Sequence, residues 1–377
     1  MADVGIVMPV YTQDSQLFKQ AIRSILNQSY RGLKLIIVID GVTPNVLRIA
    51  RHFAHKDSRV QVIPRKQNKG TDTALNIGFN RLKKMRSIRY LTWVSSDNFY
   101  YLHFIQRLRR SLRNAPANIG FVYSKFRYVV HFERVPVEVD ILHHSQHSKE
   151  RLLENYFLGY SFLYRKGYAK QIGDYRYTPV EDYDYFLRLN EVSDMRFVPH
   201  TLMDFRIRTP HSNSVALRNS KKKYWLKRYL LNLTVLEARN RRKIPAETSI
   251  IYPVEDASEE TIHRLNCLLE QVYTNLKIKL IDLTPNTDAM PKFREIPDPR
   301  IEYIAYPQMS YIDAVNKELE LVTTPYVMFY GKGEYSDDIN DFEDKIQRAR
   351  QLVHIPYSHR MNSKDEIAFQ QFYRTSS

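Results

Sequence analysis

Two acidic stretches hold the residues best suited to chemistry. The first is WVSSDN, residues 93–98, where the apolar run Tyr90–Val94 stops at two serines, an aspartate and an asparagine. A carboxylate at the end of a buried strand can hold Mg²⁺ or Mn²⁺, hard cations that take oxygen donors. Mg²⁺ commonly uses only one or two carboxylates beside substrate phosphates. Asp97 is the candidate ligand, and the Ser95 and Ser96 hydroxyls could reach the same ion directly or through water. The same string also suits a polar turn. The second stretch is TPVEDYDYFLRLN, residues 178–190. Thr178 and Glu181 have capping-box spacing, and Pro179 suits a first helical position, so Glu181 is expected to serve as a cap. Asp182 then falls in the first turn, where the helix dipole favours an ionised carboxylate ready to accept a proton. The plainer reading of Asp182 and Asp184 is charge complementarity at a helix start.

Other polar groups are weaker signals. In NKGTDTALNIG, residues 68–78, Gly70 precedes a helical pattern and Lys69 could approach a diphosphate, but Walker spacing is absent. Thr71 or Asp72 acting as helix N-cap is the alternative. RIRTPHSNSV, residues 206–215, is a polar stretch with two arginines and His211 that could fold over an anionic ligand. HHSQH, residues 143–147, has no nearby cysteine or fourth ligand, so zinc is not expected there.

The elements that must position these groups are legible in the first hundred residues. VGIVMPV, KLIIVID, RVQVIPR and RYLTWV read as buried strands, while SQLFKQAIRSILNQ and TDTALNIGFNRLKKM carry apolar residues at helical spacing. Such alternation implies an α/β fold with a parallel sheet and helices on both faces. Ligands bind such sheets beyond the carboxyl ends of the strands. Tyr11, Asp40 and Asp97 all stand just past those ends, so a cleft is expected there.

The pattern returns about 240 residues later. SIIYPVEDASEETIHRLNCLLEQVYTNLKIKLID echoes GIVMPVYTQDSQLFKQAIRSILNQSYRGLKLIIVID, with Pro253-Val254 for Pro9-Val10. Polar strand ends are not kept: Glu255 replaces Tyr11, Leu283 replaces Asp40 and Gly333 replaces Asp97. A second, non-catalytic copy of the half-fold is therefore expected, with no counterpart of residues 140–215. Between the copies, residues 218–243 hold ten Lys/Arg and one Glu, with Trp225, Leu226, Tyr229, Leu230, Leu233 and Leu236 at helical steps. This reads as a connecting helix, or as one meeting an anionic membrane surface or polymer. The division expected is 1–217, 218–246 and 247–377.

Composition narrows the class. The chain of 377 residues carries a net charge of +16, and its one cysteine, Cys267, precludes an internal disulfide and fits a reducing compartment. Cys267 itself reads as a small buried apolar residue. The N-terminus has no leader pattern and no apolar run is long enough to span a bilayer, so a cytoplasmic location, with peripheral membrane contact through 218–243, is the expectation. A nucleic-acid partner is not expected, because the basic segment offers only Tyr224, Trp225 and Tyr229 for stacking.

Taken together, VMPVY, AIRSILNQSY, IVIDG, NKG…ALNIG, SSDN, the Glu181-Asp182 pair and HSNS resemble the family 2 glycosyltransferases of GT-A fold, over residues 1 to about 217. SDNFY adds a likeness to the bacterial spore-coat polysaccharide branch. The resemblance implies a Rossmann-like nucleotide-diphospho-sugar transferase domain, a basic helical linker and a degenerate, truncated GT-A-like domain. It implies that Tyr11 stacks on the donor's base and that Asp40 hydrogen-bonds it, the base being uracil or thymine. By the same resemblance Asp97 would fill the last position of the DXD motif and hold Mn²⁺ or Mg²⁺, Asp182 would be the catalytic base, and His211 would contact metal or phosphate. Ser95 replaces the first DXD acid, and Ile39-Asp40 replaces the usual acid pair. The implied reaction is inverting transfer from a UDP- or dTDP-sugar to a hydroxyl acceptor in polysaccharide or surface-glycan synthesis. The rival is an inactive nucleotide-sugar-binding or scaffold protein. Self-association through the C-terminal domain is a further expectation. The aromatic run 155–168 reads as core packing or as an acceptor groove.

Overall fold

A computed structural model describes residues 2–41, 43–132, 135–141, 145–207, 220–331, 336–351, 356–357 and 372–375. The chain divides into two compact units, Met1–Tyr224 and Trp225–Ser377.

The first unit opens β1 (Val4–Val10), α1 (Ser15–Leu26), β2 (Leu33–Asp40), α2 (Pro44–Lys56), β3 (Val60–Arg65), α3 (Thr71–Lys83) and β4 (Tyr90–Trp93). These strands pair in parallel in the order β3-β2-β1-β4. The near-continuous apolar sequences of β1, β2 and β4 suit strands covered on both faces, while β3, at the edge, is only partly covered. Asp14 caps α1, its carboxylate accepting from Gln16 N and Leu17 N at 2.8 and 2.9 Å. The helix buries Phe18, Ala21, Ile22, Ile25 and Leu26, each large side chain contributing about 1.5–3 kcal/mol. α2 buries Val46, Ile49 and Ala50 and was not anticipated. α3 lies close on the sheet: a Cβ on Gly78 would come within 2.6 Å of Val7. Its N-cap is Gly70, at φ 98°, with no side-chain cap. Thr71 and Asp72 therefore do not cap it, since both already lie inside the helix.

The sheet then changes direction. β5 (Phe99–Tyr100), α4 (Phe104–Arg113), β6 (Ile119–Phe132), β7 (Val135–Ile141), β8 (Phe162–Arg165), α5 (Lys166–Ile172), α6 (Glu181–Val192) and β9 (Asp194–Arg206) complete it. β8 lies antiparallel to β4 and β6, while β6 and β9 run parallel. α6 starts at Glu181, and its N-cap is Val180 with no side-chain cap bond. The capping box is thus not formed: Thr178 Oγ1 instead accepts from Asp72 N at 3.0 Å. Asp184 is fully buried between Arg176 (2.8 Å) and Arg188 (2.6 Å), a structural assignment for that acid.

α7 (Lys221–Arg241) lies mostly in the second unit. Its buried side is not the leucine stripe but Arg228, Asn232, Val235 and Arg239, with Thr234 and Ala238. Arg228 donates to Asn266 at 3.1 Å, Asn232 to Asp298 at 2.7 Å and Arg239 to Thr274 at 3.2 Å. Leu226 is exposed, and Leu230, Leu233 and Leu236 are only partly covered. Each of these buried polar side chains finds at least one hydrogen-bond partner in the second unit, as burial of polar groups requires.

After α7 come β10 (Thr248–Val254), α8 (Glu259–Glu270), β11 (Leu276–Asp282), α9 (Met290–Arg294), β12 (Ile301–Ala305), α10 (Tyr311–Glu320), β13 (Tyr326–Phe329), α11 (Asp341–Gln351), β14 (Pro356–Tyr357) and β15 (Phe372–Thr375). The order β12-β11-β10-β13 repeats that of the first sheet. The register repeats as well: Val4 faces Leu33 and Tyr90, and Thr248 faces Leu276 and Tyr326. β15 lies antiparallel beside β13, where β8 lies beside β4, so the likeness extends one strand further than expected. Gly333 lies outside the described residues.

Candidate active site

Loops at the carboxyl ends of β1–β4 and the start of α6 are joined by a circuit of contacts. At β2, Asp40 is 4% exposed and its carboxylate accepts from Arg65 Nη1 at 2.6 Å, Lys69 N at 3.1 Å and Gly70 N at 2.9 Å. It therefore braces the 65–70 turn. The half-exposed Tyr11 lies over Gly41, whose positive φ and missing Cβ allow this: a Cβ there would meet the ring at 2.9 Å and Asn68 N at 3.1 Å. Gly70 leads to Asp72, Asp72 N to Thr178, and Asp72 acts electrostatically on Glu181. The Lys69 side chain is exposed.

The β4 end closes the circuit. Trp93 Nε1 donates to Asp182 Oδ1 at 2.8 Å, and Gln13 Nε2 donates to Ser96 Oγ at 3.2 Å, tying the loop after β1 to the serine pair. Ser95 N donates to the Tyr100 hydroxyl at 2.8 Å. Burial chiefly pushes that hydroxyl's pKa up, and both Asp97 and Asp182 push it the same way. Two of the predicted acids, 85 positions apart, thus act on one phenol. Arg206 donates to the Asp97 carbonyl and, through Nη2, to Gln20 Oε1 at 2.8 Å. Its guanidinium also feels the Asp97 carboxylate.

Glu181 and Asp182 stand side by side at the start of α6. Burial, the larger cause, and the neighbouring Glu181 charge push the Asp182 pKa well above the usual carboxylate range, against the Trp93 hydrogen bond, which lowers it. Glu181 is raised by burial and by Asp72. The helix dipole was expected to keep Asp182 ionised, but desolvation outweighs it. Asp182 retains partial exposure. Tyr156 and Tyr160 also feel both acids. Within the 155–168 run, Phe162 and Tyr164 are buried.

Trp93, Tyr100, Gln13, Arg65 and Arg206 were not singled out for these roles, since their partners are distant in sequence. His211 lies outside the described residues. His147 packs edge-on against Phe157, with ring centroids 4.5 Å apart, and belongs to no metal-ligand cluster among the described residues. Cys267 departs from expectation: it is partly exposed, and its thiol donates to Asp337 at 3.2 Å. Its position on the outer part of α8 leaves it beside polar groups rather than in the core.

Residues 5–173 match the family profile described as Glycosyl transferase family 2. That stretch, somewhat under half of the chain, is similar to the family 2 glycosyltransferases. An uncharacterized glycosyltransferase of Haemophilus influenzae is 36% identical over 96 residues, covering 26% of this chain and 36% of that protein. One from Rickettsia prowazekii is 26% identical over 225 residues, covering 57% of this chain and 67% of its own. One from Rickettsia conorii is 23% identical over 396 residues, covering 91% of this chain and 62% of its own. The chain thus spans between about a third and two thirds of these relatives' lengths. None of the three is described as a spore-coat enzyme, so SDNFY supports the family and no particular branch. Among solved structures, Staphylococcus aureus TarS 1–349 in complex with UDP-GlcNAc aligns at 14% identity and TM-score 0.48, covering 65% of this chain and 71% of that one. The Pyrobaculum calidifontis mannosyltransferase PcManGT, in complex with GDP-Man and Mn²⁺, aligns at 12% identity and TM-score 0.46, covering 62% and 64%. Among the described residues, no helix is long and apolar enough to cross a membrane.

Proposed function

We propose that residues 1–217 form an inverting glycosyltransferase domain acting on a UDP- or dTDP-sugar and a hydroxyl acceptor, followed by the linker 218–246 and a non-catalytic partner domain, 247–377. One observation carries the reading: Asp182, partly exposed, accepts a hydrogen bond from the indole of Trp93, the last residue of the strand that runs on to Asp97, beyond the carboxyl ends of the strands where ligands of such folds bind. Asp182 takes the proton of the acceptor hydroxyl as that oxygen bonds to the anomeric carbon. The bond from that carbon to the diphosphate breaks from the opposite face, and the nucleoside diphosphate leaves with the electron pair. The raised Asp182 pKa makes it a stronger base once ionised, and such assistance is typically worth ~10²–10⁴ in rate.

The donor set tests the metal assignment. Asp97, with the Ser95 and Ser96 hydroxyls, fits an ion that takes one protein carboxylate and completes its shell with water and diphosphate oxygens. Bound there, Mn²⁺ or Mg²⁺ would neutralise the leaving diphosphate. Tyr11 offers an open ring face for the base, Lys69 an exposed cation for the diphosphate, and His211 a further phosphate or metal contact. Asp40 holds the turn that carries Lys69 and keeps little acceptor capacity for the base itself. The acceptor is a glycan or another hydroxyl compound.

The test is a panel of nucleotide sugars, each with and without Mn²⁺, read by thermal shift and by release of nucleoside diphosphate in the presence of glycan acceptors. Binding followed by metal-stimulated turnover is expected, with Asp182→Asn binding the donor but not transferring. Donor binding without turnover by the unaltered protein would favour the inactive-scaffold reading.

A further inference from the structure

A second group of chemically able side chains lies in the second unit, on α8 and the segment before α11. His263 and Cys267 are four residues apart and so share one face of α8. Cys267 Sγ lies 3.7 Å from His263 Nε2 and 3.2 Å from Asp337 Oδ1, and the last two atoms are 3.7 Å apart. Three donors of different kinds thus form a nearly equilateral triangle. A tetrahedral zinc ion with Zn–S of about 2.3 Å and Zn–N or Zn–O of about 2.0–2.1 Å has ligand-to-ligand edges of roughly 3.3–3.6 Å. The observed triangle is close to one face of that tetrahedron.

The support beneath the triangle is built. Gln271 Nε2 donates to Asp338 O at 2.9 Å, Val272 N to Ile339 O at 2.8 Å and Phe342 N to Gln271 Oε1 at 3.0 Å. These bonds hold the backbone that follows Asp337 against the end of α8. Thiolate and carboxylate together would balance a divalent charge. A mixed sulfur, nitrogen and oxygen set suits zinc over magnesium or calcium, which prefer oxygen alone.

We propose that His263, Cys267 and Asp337 form a zinc-binding site, with three protein ligands and a fourth position open to water. The site pins the Asp337 segment to α8 and is independent of the glycosyl-transfer reading.

Cobalt(II) titration of the full-length, metal-stripped protein tests this directly. The chain has one cysteine, so a near-ultraviolet thiolate-to-cobalt charge-transfer band reports Cys267 alone. One equivalent of Co²⁺ should give that band together with the visible bands of a tetrahedral ion, and Zn²⁺ should bleach both. Cys267→Ser should abolish the charge-transfer band. His263→Ala and Asp337→Asn should each weaken binding by about tenfold or more, a loss seen even for an outer-shell partner. Absence of the band in the unaltered protein would overturn the proposal. So would a band whose affinity is unchanged in both His263→Ala and Asp337→Asn, because that would be adventitious binding to a thiol.

Discussion

At the scale of single residues, the Glu181–Asp182 pair makes opposite predictions for two neighbours. Asp182 must be ionised to accept a proton, and its pKa is raised, so transfer should fall as pH drops through a range above that of ordinary carboxylates. Glu181→Gln removes the like charge that raises Asp182, so the acid limb of the pH–rate profile should move to lower pH. Trp93→Phe removes the hydrogen bond that lowers it, so the limb should move higher. Both are read from kcat/KM against pH, and a shift of the same sign in both variants would contradict the assignment. Asp182→Asn should reduce transfer by ~10²–10⁴ and also change stability. A carboxyl whose folded pKa is raised loses stabilisation as pH rises through that value. The asparagine variant, which cannot ionise, should therefore gain melting temperature relative to the parent as the pH is raised, measurable by thermal denaturation over a pH series.

At the scale of elements, α6 is held by a buried acid outside the pair proposed for transfer. Asp184 balances Arg176 and Arg188 inside the unit, and Asp184→Asn leaves a buried guanidinium uncompensated. Loss of one partner of a buried pair costs about 3–5 kcal/mol. Chemical denaturation should show a loss of that order, while whatever transfer remains keeps its pH profile. The strand–helix alternation through β4 was legible because every strand there is a compact apolar run and α1 and α3 have clear periodicity. α2 was not anticipated, although its buried Val46, Ile49 and Ala50 stand at helical spacing. The two acids proposed for transfer were legible by position, Asp97 at a strand end and Asp182 at a helix start, and by motif order. The groups that tune them were not: Trp93 and Asp182 are 89 positions apart, and Arg206 reaches Asp97 from 109 away. Thr178 has capping-box spacing, yet the helix starts after Val180 and the Thr178 hydroxyl accepts from the Asp72 amide. On α7, residue type suggested which face would be buried, but the arrangement of acceptors in the second unit decided it.

At the scale of the whole molecule, each unit has its own sheet, and the second has its own clusters of buried apolar residues. A ligand that binds only one folded unit stabilises that unit by mass action. Calorimetry of the full chain should therefore resolve two transitions. A donor analogue with Mn²⁺ should raise one and leave the other in place. A single transition moving as a whole would show that the units unfold together.

The matching registers of Val4–Val10 and Thr248–Val254 give this molecule an internal blank. Pro9 and Pro253 occupy equivalent places in two sheets of the same design, only one of which ends in the acids assigned to transfer. Replacing each with valine in turn subtracts the cost of disturbing a scaffold from the cost of disturbing a reaction, within one polypeptide and under one set of conditions.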